Sequence, residues 1–306
     1  MYVCQAPEIT QHPRVRTIWE LDFYSRPVVD ENNKKRWEVL ICETPATIDR
    51  SSDTLFKYAS YCPNTMVNSQ WLGEAITAAI KAAGVTPKKI RFFRRQMNNM
   101  ISKACEDIGI PASPSRRTHA LTRWIEERMV NFYPQEVGYD QNLTKTASVN
   151  YPPLNAVPLP DAVRGDKADK WAFVTLELSS FHDLKDWDIS FGENLPILEM
   201  GLDENLKIPG LVIFSPRALP LAGWMSGLEM AYLKLEAGSR PVLRLETGAS
   251  DSWILVNVTN AETLKEAKNF EEAKQKANNL HFLAVQSNPE SESFAGFWLL
   301  QEGSQE

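Results

Sequence analysis

The chain has 306 residues, too many for one ordinary core, and its 43% hydrophobic and 24% charged residues describe a soluble globular protein of two domains. No apolar run approaches the roughly 20 residues needed to cross a membrane, and residues 1–16, interrupted by Pro7 and Pro13, lack the apolar stretch of a signal peptide. The net charge of −6 argues against a chain coated in nucleic acid, yet it is unevenly spread: residues 1–150 hold 20 Lys+Arg against 16 Asp+Glu, and the remainder 13 against 23.

Residues 1–16 read as a tail. The first domain is expected over 17–133. Thr17 to Val28 alternates, with Trp19, Leu21 and Phe23 on one face and Glu20, Asp22 and Tyr24 on the other, so it predicts a strand that Pro27 ends or places at an edge. Asp30 to Lys35 is a polar turn, and Trp37, Val39 and Ile41 mark a second strand that returns antiparallel. Leu55 to Tyr61 predicts a third. Leu72, Ile76, Ala79, Ile80 and Ala83 then share one helix face, with Asn68 or Ser69 as cap and Gly84 as terminator. Lys88 to Met97 predicts a fourth strand, followed by a helix carrying Met97, Met100, Ile101, Ala104, Cys105 and Ile108 that ends at Gly109. Ile110 to Ser115 is a short strand or extended turn. A third helix, about Arg117 to Phe132, is expected to bury Leu121, Trp124, Ile125, Met129 and Phe132.

Residues 134–170, rich in Pro, Asn and Gly, read as an interdomain linker that includes Y-P-P-L-N-A-V-P-L-P. The second domain, 171–302, is expected to be mixed α+β. Its strands are predicted at Trp171–Leu178, Gly210–Ser215, Met230–Glu236, Pro241–Glu246 and Trp253–Val258, with a charged amphipathic helix over Ala261–Asn278. Leu280–Gln286 and Phe294–Gln301 form a closing strand pair. The N-terminal order β-β-β-α-β-α-β-α is that of the ribonuclease-H-like fold, an analogy that constrains function only loosely.

That analogy raises nuclease chemistry, which needs several carboxylates converging on two cations. Asp22, mid first strand, and Glu74, early in the first helix, occupy two of the expected places and form a candidate degenerate acidic site. Where a third acid belongs, at the end of the fourth strand, stand Arg94 and Arg95, which would repel metals. No catalytic residue is therefore assigned, and Asp22 is otherwise a structural acid paired with Arg26 or Arg91. The four cysteines (Cys4, Cys42, Cys62, Cys105) lack C-x-x-C spacing and the four histidines are dispersed, so no metal or cofactor is expected.

Within Lys88 to Arg128 there are ten cations and four anions. Lys88, Lys89, Arg91, Arg94, Arg95, Arg116 and Arg117 are the candidate RNA-binding set. Guanidinium forks suit phosphate oxygens, and Phe93 or Tyr24 could stack on bases. The plain alternative is a set of solvated helix faces.

Several segments carry a family resemblance: W-E-L-D-F-Y-S-R-P at 19–27, I-R-F-F-R-R-Q-M at 90–97, K-A-C at 103–105, P-S-R-R at 114–117 and W-A-F-V at 171–174. So do I-P-G-L at 208–211, S-P-R-A-L-P-L-A-G-W-M-S-G-L-E at 215–229, L-H-F-L-A-V-Q at 280–286 and F-A-G-F-W-L-L at 294–300. In order, over nearly the whole chain, they resemble the Tab2/Atab2-like proteins of cyanobacteria and chloroplasts. The resemblance implies a non-enzymatic factor that binds A/U-rich single-stranded RNA, such as an mRNA 5′ untranslated region. It implies a role in translation activation and biogenesis of photosystem I, and possibly photosystem II, subunits, with translation or assembly proteins as possible partners. It also implies a chloroplast stromal location for plant and algal relatives; the absence of a transit peptide fits a cyanobacterial, cytoplasmic chain. Two other readings remain open: a protein-binding assembly scaffold acting through the acidic second domain, and a metal-dependent nuclease.

Overall fold

A computed structural model describes residues 17–144, 155–164 and 169–303; the predicted tail and parts of the predicted linker lie outside them. The chain is mixed α+β and divides into two compact units. Among the described residues the first comprises 17–45 and 51–144, and the second comprises 46–50, 155–164 and 169–303.

In the first unit the chain runs β1 (Ile18–Val29), β2 (Lys35–Glu43), β3 (Lys57–Cys62), α1 (Ser69–Ala83), β4 (Lys89–Phe92), α2 (Asn98–Asp107), β5 (Ala112–Pro114) and α3 (His119–Asn131). The sheet order is β3-β2-β1-β4-β5, with β1, β2 and β3 antiparallel and β4 and β5 parallel to β1. The β1–β2 turn is tied by Asp30, whose Oδ1 accepts the amides of Asn32 and Lys34, both at 2.9 Å. Pro27 is tolerated in this central strand because it lies at a register shift between Ser25 and Val29. Asn68 caps α1 by accepting the Trp71 amide, and Gly84, at φ +68°, closes it in the left-handed region.

Strand alternation gives the sheet two unlike faces. Trp19, Leu21, Phe23, Val39, Ile41, Ile90 and Phe92 pack against α1 and α2. The other face meets α3 through a small apolar cluster, Leu40 and Cys42 against Leu121 and Trp124, and it also carries Glu20, Asp22, Glu38 and Arg91, all buried. The α3 face expected from the sequence is corrected accordingly. Arg128 is buried in it, whereas Phe132 is 38% exposed beneath the Arg128 guanidinium, whose Cζ lies 3.8 Å from the ring centre.

The second unit contains β6 (Val157–Pro158), β7 (Lys170–Glu177), β8 (Ile189–Glu193), β9 (Lys207–Phe214), α4 (Ala218–Ser226), β10 (Met230–Glu236), β11 (Val242–Thr247), β12 (Asp251–Asn257), α5 (Ala261–Lys276), β13 (Leu280–Gln286) and β14 (Phe294–Gln301). A five-stranded sheet, β7-β9-β13-β14-β8, and a four-stranded one, β10-β11-β12-β6, share a core in which Leu211, Leu283 and Trp298 meet Leu233, Leu243 and Val256. The predicted strands all appear within a few residues. The short strands β6 and β8 were not foreseen, because a two-residue pairing and a mostly exposed five-residue strand leave little apolar periodicity to read. Part of the stretch read as linker is also structured. Gly138 and Asp140 bond the backbone of β1, and Leu159 and Val163 join the core of the second unit.

The open edge of β10 is sealed by side chains. Lys274, 1% exposed, donates to the Leu233 carbonyl and to Glu271 and Glu302, each at 2.8 Å. His281, fully buried, accepts the Leu233 amide on Nε2 at 2.9 Å, and its Nδ1 lies 2.9 Å from the Asn279 carbonyl. The ring is therefore the neutral Nδ1–H tautomer. Burial, reinforced by the Lys274 charge, pushes its pKa down to about 3.

Candidate nucleic-acid interface

The layout of the first unit fixes one distinctive edge. After β4 the chain turns through Arg94 to Met97 into α2 on one face of the sheet; after β5 it passes through Ser115 to Thr118 into α3 on the other. The two departures part at the carboxyl ends of neighbouring parallel strands, which is where open α/β sheets form their ligand crevice. The Ser115 amide bonds the Phe92 carbonyl at 2.8 Å and so carries the pairing to that edge. Arg94 and Arg95 leave β4 there and Arg116 leaves β5. Arg95 is exposed, Arg94 and Arg116 half-buried.

Beneath the edge lies a buried ionic network. Asp22 Oδ1 accepts Arg94 Nε at 2.6 Å, and Oδ2 accepts Arg26 Nη1 at 2.9 Å and Arg94 Nη2 at 3.3 Å. Arg26 Nε donates to Glu38 Oε2 at 3.0 Å. Glu38 also takes Arg128 Nη2 on Oε1 and the Tyr133 hydroxyl on Oε2, each at 2.5 Å. Register explains the assembly. Asp22 and Arg26 are four residues apart on β1, hence on one face, and Glu38 pairs with Tyr24 between them. Burial alone pushes the Asp22 carboxyl up, but Arg94 and Arg26 together outweigh it and hold it below its ordinary value. Two carboxylates thus face three guanidiniums, an excess of one positive charge within the network. Among the described residues, no group of three His, Cys, Asp or Glu could hold a metal ion.

Arg94 is also stacked. Its Cζ lies 3.9 Å from the centre of the Tyr24 ring and 4.9 Å from that of Phe93. Tyr24 and Phe93 are both half-buried, and the Arg94 side chain is 19% exposed.

A second buried acid anchors the α3 side. Thr118, at the start of α3, makes no side-chain cap; Glu20 of β1 does it instead, accepting the Leu121 amide on Oε2 at 2.8 Å and the Thr44 hydroxyl on Oε1 at 2.9 Å. Burial pushes the Glu20 carboxyl up to about 7, against these bonds and the charges of Arg91 and Arg117.

The predicted basic set is therefore divided. Arg94, Arg95 and Arg116 converge on the carboxyl edge. Lys88 and Lys89 stand at the amino end of β4, six and five residues from Arg94 and so about 17–20 Å along an extended chain. Arg91 and Arg117 are each 2% exposed beside Glu20, so the structure withdraws both from any surface contact. Arg117 is turned inward by a tight turn in which its amide bonds Ser115 Oγ at 3.0 Å. Asp22 and Glu74 are not brought together. Glu74 is exposed on α1, bonded to Gln70 Nε2 at 3.3 Å, and α1 covers the opposite face of the sheet from Asp22. Sequence reasoning missed Glu20, Glu38, Arg128 and Tyr133. The Asp22/Arg26 spacing and the expected β1–β2 hairpin were the available signals for Glu38; nothing local marked Arg128 or Tyr133, which arrive from 90 or more residues away.

The comparisons with known proteins agree on a family. The model described as "RNA-binding protein Tab2/Atab2 N terminal" matches residues 18–128, and that described as "RNA-binding protein Tab2/Atab2, C-terminal domain" matches 146–301. Two relatives, each named "Protein TAB2 homolog, chloroplastic", are similar over 92% of this chain. The one from Arabidopsis thaliana is 37% identical over 290 residues, 74% of its length. The one from Zea mays is 36% identical over 289 residues, 70% of its length. A solved structure, "CryoEM structure of simian T-cell lymphotropic virus intasome in complex with PP2A regulatory subunit B56 gamma", aligns over 81% of this chain and 82% of that chain at 11% identity. Its TM-score of 0.28 carries no argument. Matched by both domain models, the chain belongs to the Tab2/Atab2 family of RNA-binding proteins.

Proposed function

We propose that the chain is a non-catalytic RNA-binding factor whose first unit is a ribonuclease-H-like sheet with the metal site replaced by arginines. It meets A/U-rich single-stranded RNA at the carboxyl ends of β4 and β5. Arg95 and Arg116 are the phosphate contacts, with Arg94 held on Asp22 beside them; Lys88 and Lys89 lie outside the main contact. The single observation that carries this reading is the double ion pair of Asp22 with Arg26 and Arg94. A carboxylate held by two guanidiniums cannot also hold the cations that phosphodiester hydrolysis needs, and the surplus positive charge suits an anionic backbone. The strand order β3-β2-β1-β4-β5 supports the fold assignment. Family membership and the chloroplastic relatives support a role in translation of photosystem I subunits from an mRNA 5′ untranslated region.

A salt titration tests it. Binding of an A/U-rich single strand should weaken steeply as salt rises, and Arg95→Ala or Arg116→Ala should each lower the log–log slope by about 0.7. No binding at low salt sinks the proposal. With Mg²⁺ or Mn²⁺ present, RNA and DNA should stay intact; cleavage abolished by Asp22→Asn would show the site to be catalytic after all. A second reading, a protein-binding scaffold acting through the acidic second unit, has in its favour an open cavity of about 450 Å³ lined by Asp186, Trp187, Asp188, Glu292, Ser293 and Phe294. It would be preferred if RNA binding were absent.

A further inference from the structure

The basic edge explains attraction to a phosphate backbone but gives no reason to prefer a strand with unpaired bases. The geometry around Arg94 supplies one. Its guanidinium is fixed in plane by two bonds to Asp22, at 2.6 and 3.3 Å, and lies 3.9 Å from the centre of the Tyr24 ring. Asp22 is itself buried and held from behind by Arg26. Phe93, next in sequence, offers a second half-buried ring at 4.9 Å. Arg94 is therefore a flat cation held at the carboxyl edge of the sheet, with its plane and its neighbouring rings set by contacts within the chain. A phosphate contact needs the in-plane N–H groups, and two of the five already bond Asp22. A base needs only an exposed π-face or cation face, and both are sequence-tolerant platforms.

Resting on the RNA-binding reading above, we infer that Tyr24, Phe93 and Arg94 form a base-stacking site that receives an unpaired base of the bound strand, with Asp22 as the positioning residue that holds the Arg94 plane. The acid that would hold a metal in a nuclease thus aims an arginine at a base. Discrimination between single and double strands follows, because a base in a duplex has no free face to offer.

The test uses the full chain and two probes: an A/U-rich single-stranded RNA, and a strand of the same length in which successive riboses lack bases. Dissociation constants are measured at low and moderate salt for the native chain, Arg94→Lys, Tyr24→Leu and Asp22→Asn, with melting temperatures alongside. The native chain should prefer the base-bearing strand. Arg94→Lys keeps the charge, so it should leave the salt slope and the baseless strand unchanged while weakening the base-bearing strand by about tenfold. Tyr24→Leu, which removes no charge and no hydrogen-bond partner of Asp22, should do the same. Asp22→Asn should lower the preference for bases in the same direction, even at temperatures where the variant is fully folded. The inference is overturned if Arg94→Lys and Tyr24→Leu weaken both strands equally, or weaken neither. If the native chain binds neither strand, the RNA-binding reading fails and this one with it; if it binds both equally, only the stacking site fails.

Discussion

The two units bury charge in opposite ways. In the first, Asp22 and Glu38 are surrounded by Arg26, Arg94 and Arg128, and the network runs outward to a partly exposed guanidinium at the carboxyl edge of the sheet. In the second, Lys274 is ringed by Glu271, Glu302 and the Leu233 carbonyl, beside a neutral His281, and the cluster closes on the backbone of an edge strand. One ends at solvent with cationic groups to spare; the other ends on peptide groups that would otherwise be open to another strand. A buried ion pair by itself says little about function. What distinguishes these two is where the excess charge points.

The comparison breaks most visibly at its centres. Lys274→Met removes the ammonium that three acceptors share and should cost about 4 kcal/mol in chemical denaturation. Glu38→Gln leaves Arg26 and Arg128 short of a counter-charge and should cost about 3 kcal/mol. If either variant melts like the native chain, its cluster is not buried as described.

The two buried titrating groups sharpen the contrast by opposing signs. The Glu20 pKa of about 7 lies above the ordinary 4.5, so the folded chain keeps a proton that the unfolded chain releases. Its contribution is complete below about pH 4.5 and is lost as pH rises through about 7. The His281 pKa of about 3 lies below the ordinary 6.5, so its contribution is complete above about pH 6.5 and is lost as pH falls through about 3. The effect is on the order of 3 kcal/mol for Glu20 and on the order of 5 kcal/mol for His281 across these windows. Glu20→Gln should flatten the fall in stability between pH 4.5 and 7, and His281→Gln should flatten the loss on the acid side. Equal pH profiles for Glu20→Gln and the native chain would place Glu20 in a wetter site.

Smaller effects are expected at the surface. Arg94→Ala leaves Asp22 paired with Arg26, so it should cost only about 1–2 kcal/mol of stability while weakening RNA binding. A drop in melting temperature large enough to account for all the lost affinity would make Arg94 purely structural. Lys88→Ala removes one screened charge at the far end of β4 and should change RNA affinity by about twofold or less, with melting unchanged. A Lys88 effect as large as that of Arg95→Ala would extend the interface to the amino end of the strand.

Much of this arrangement could be read from the chain. Alternation at Trp19, Leu21 and Phe23, helical spacing from Leu72 to Ala83, the Asn68 cap and the Gly84 terminator are local signals, and each led to an element that forms. The α3 face was misjudged at Arg128 and Phe132 because helical periodicity gives a direction but not its neighbour. Facing Glu38, an arginine gains more from burial than a phenylalanine does, and Phe132 can cover its guanidinium at the surface.

The sequence by itself determined the family, the element order and the presence of a basic cluster between Lys88 and Arg128, because these depend on spacing along one stretch of chain. Only the tertiary structure decided which cations remain at the surface. Arg91 and Arg117 are buried beside Glu20, Arg94 is shared between Asp22 and the edge, and Arg95 and Arg116 lie at the edge. The physical reason is that burying a charge is costly without a partner, and Asp22 and Glu38 supply one for Arg94 and Arg128. Those partners, on β1 and β2, lie roughly 70 or more residues from several of the arginines they hold.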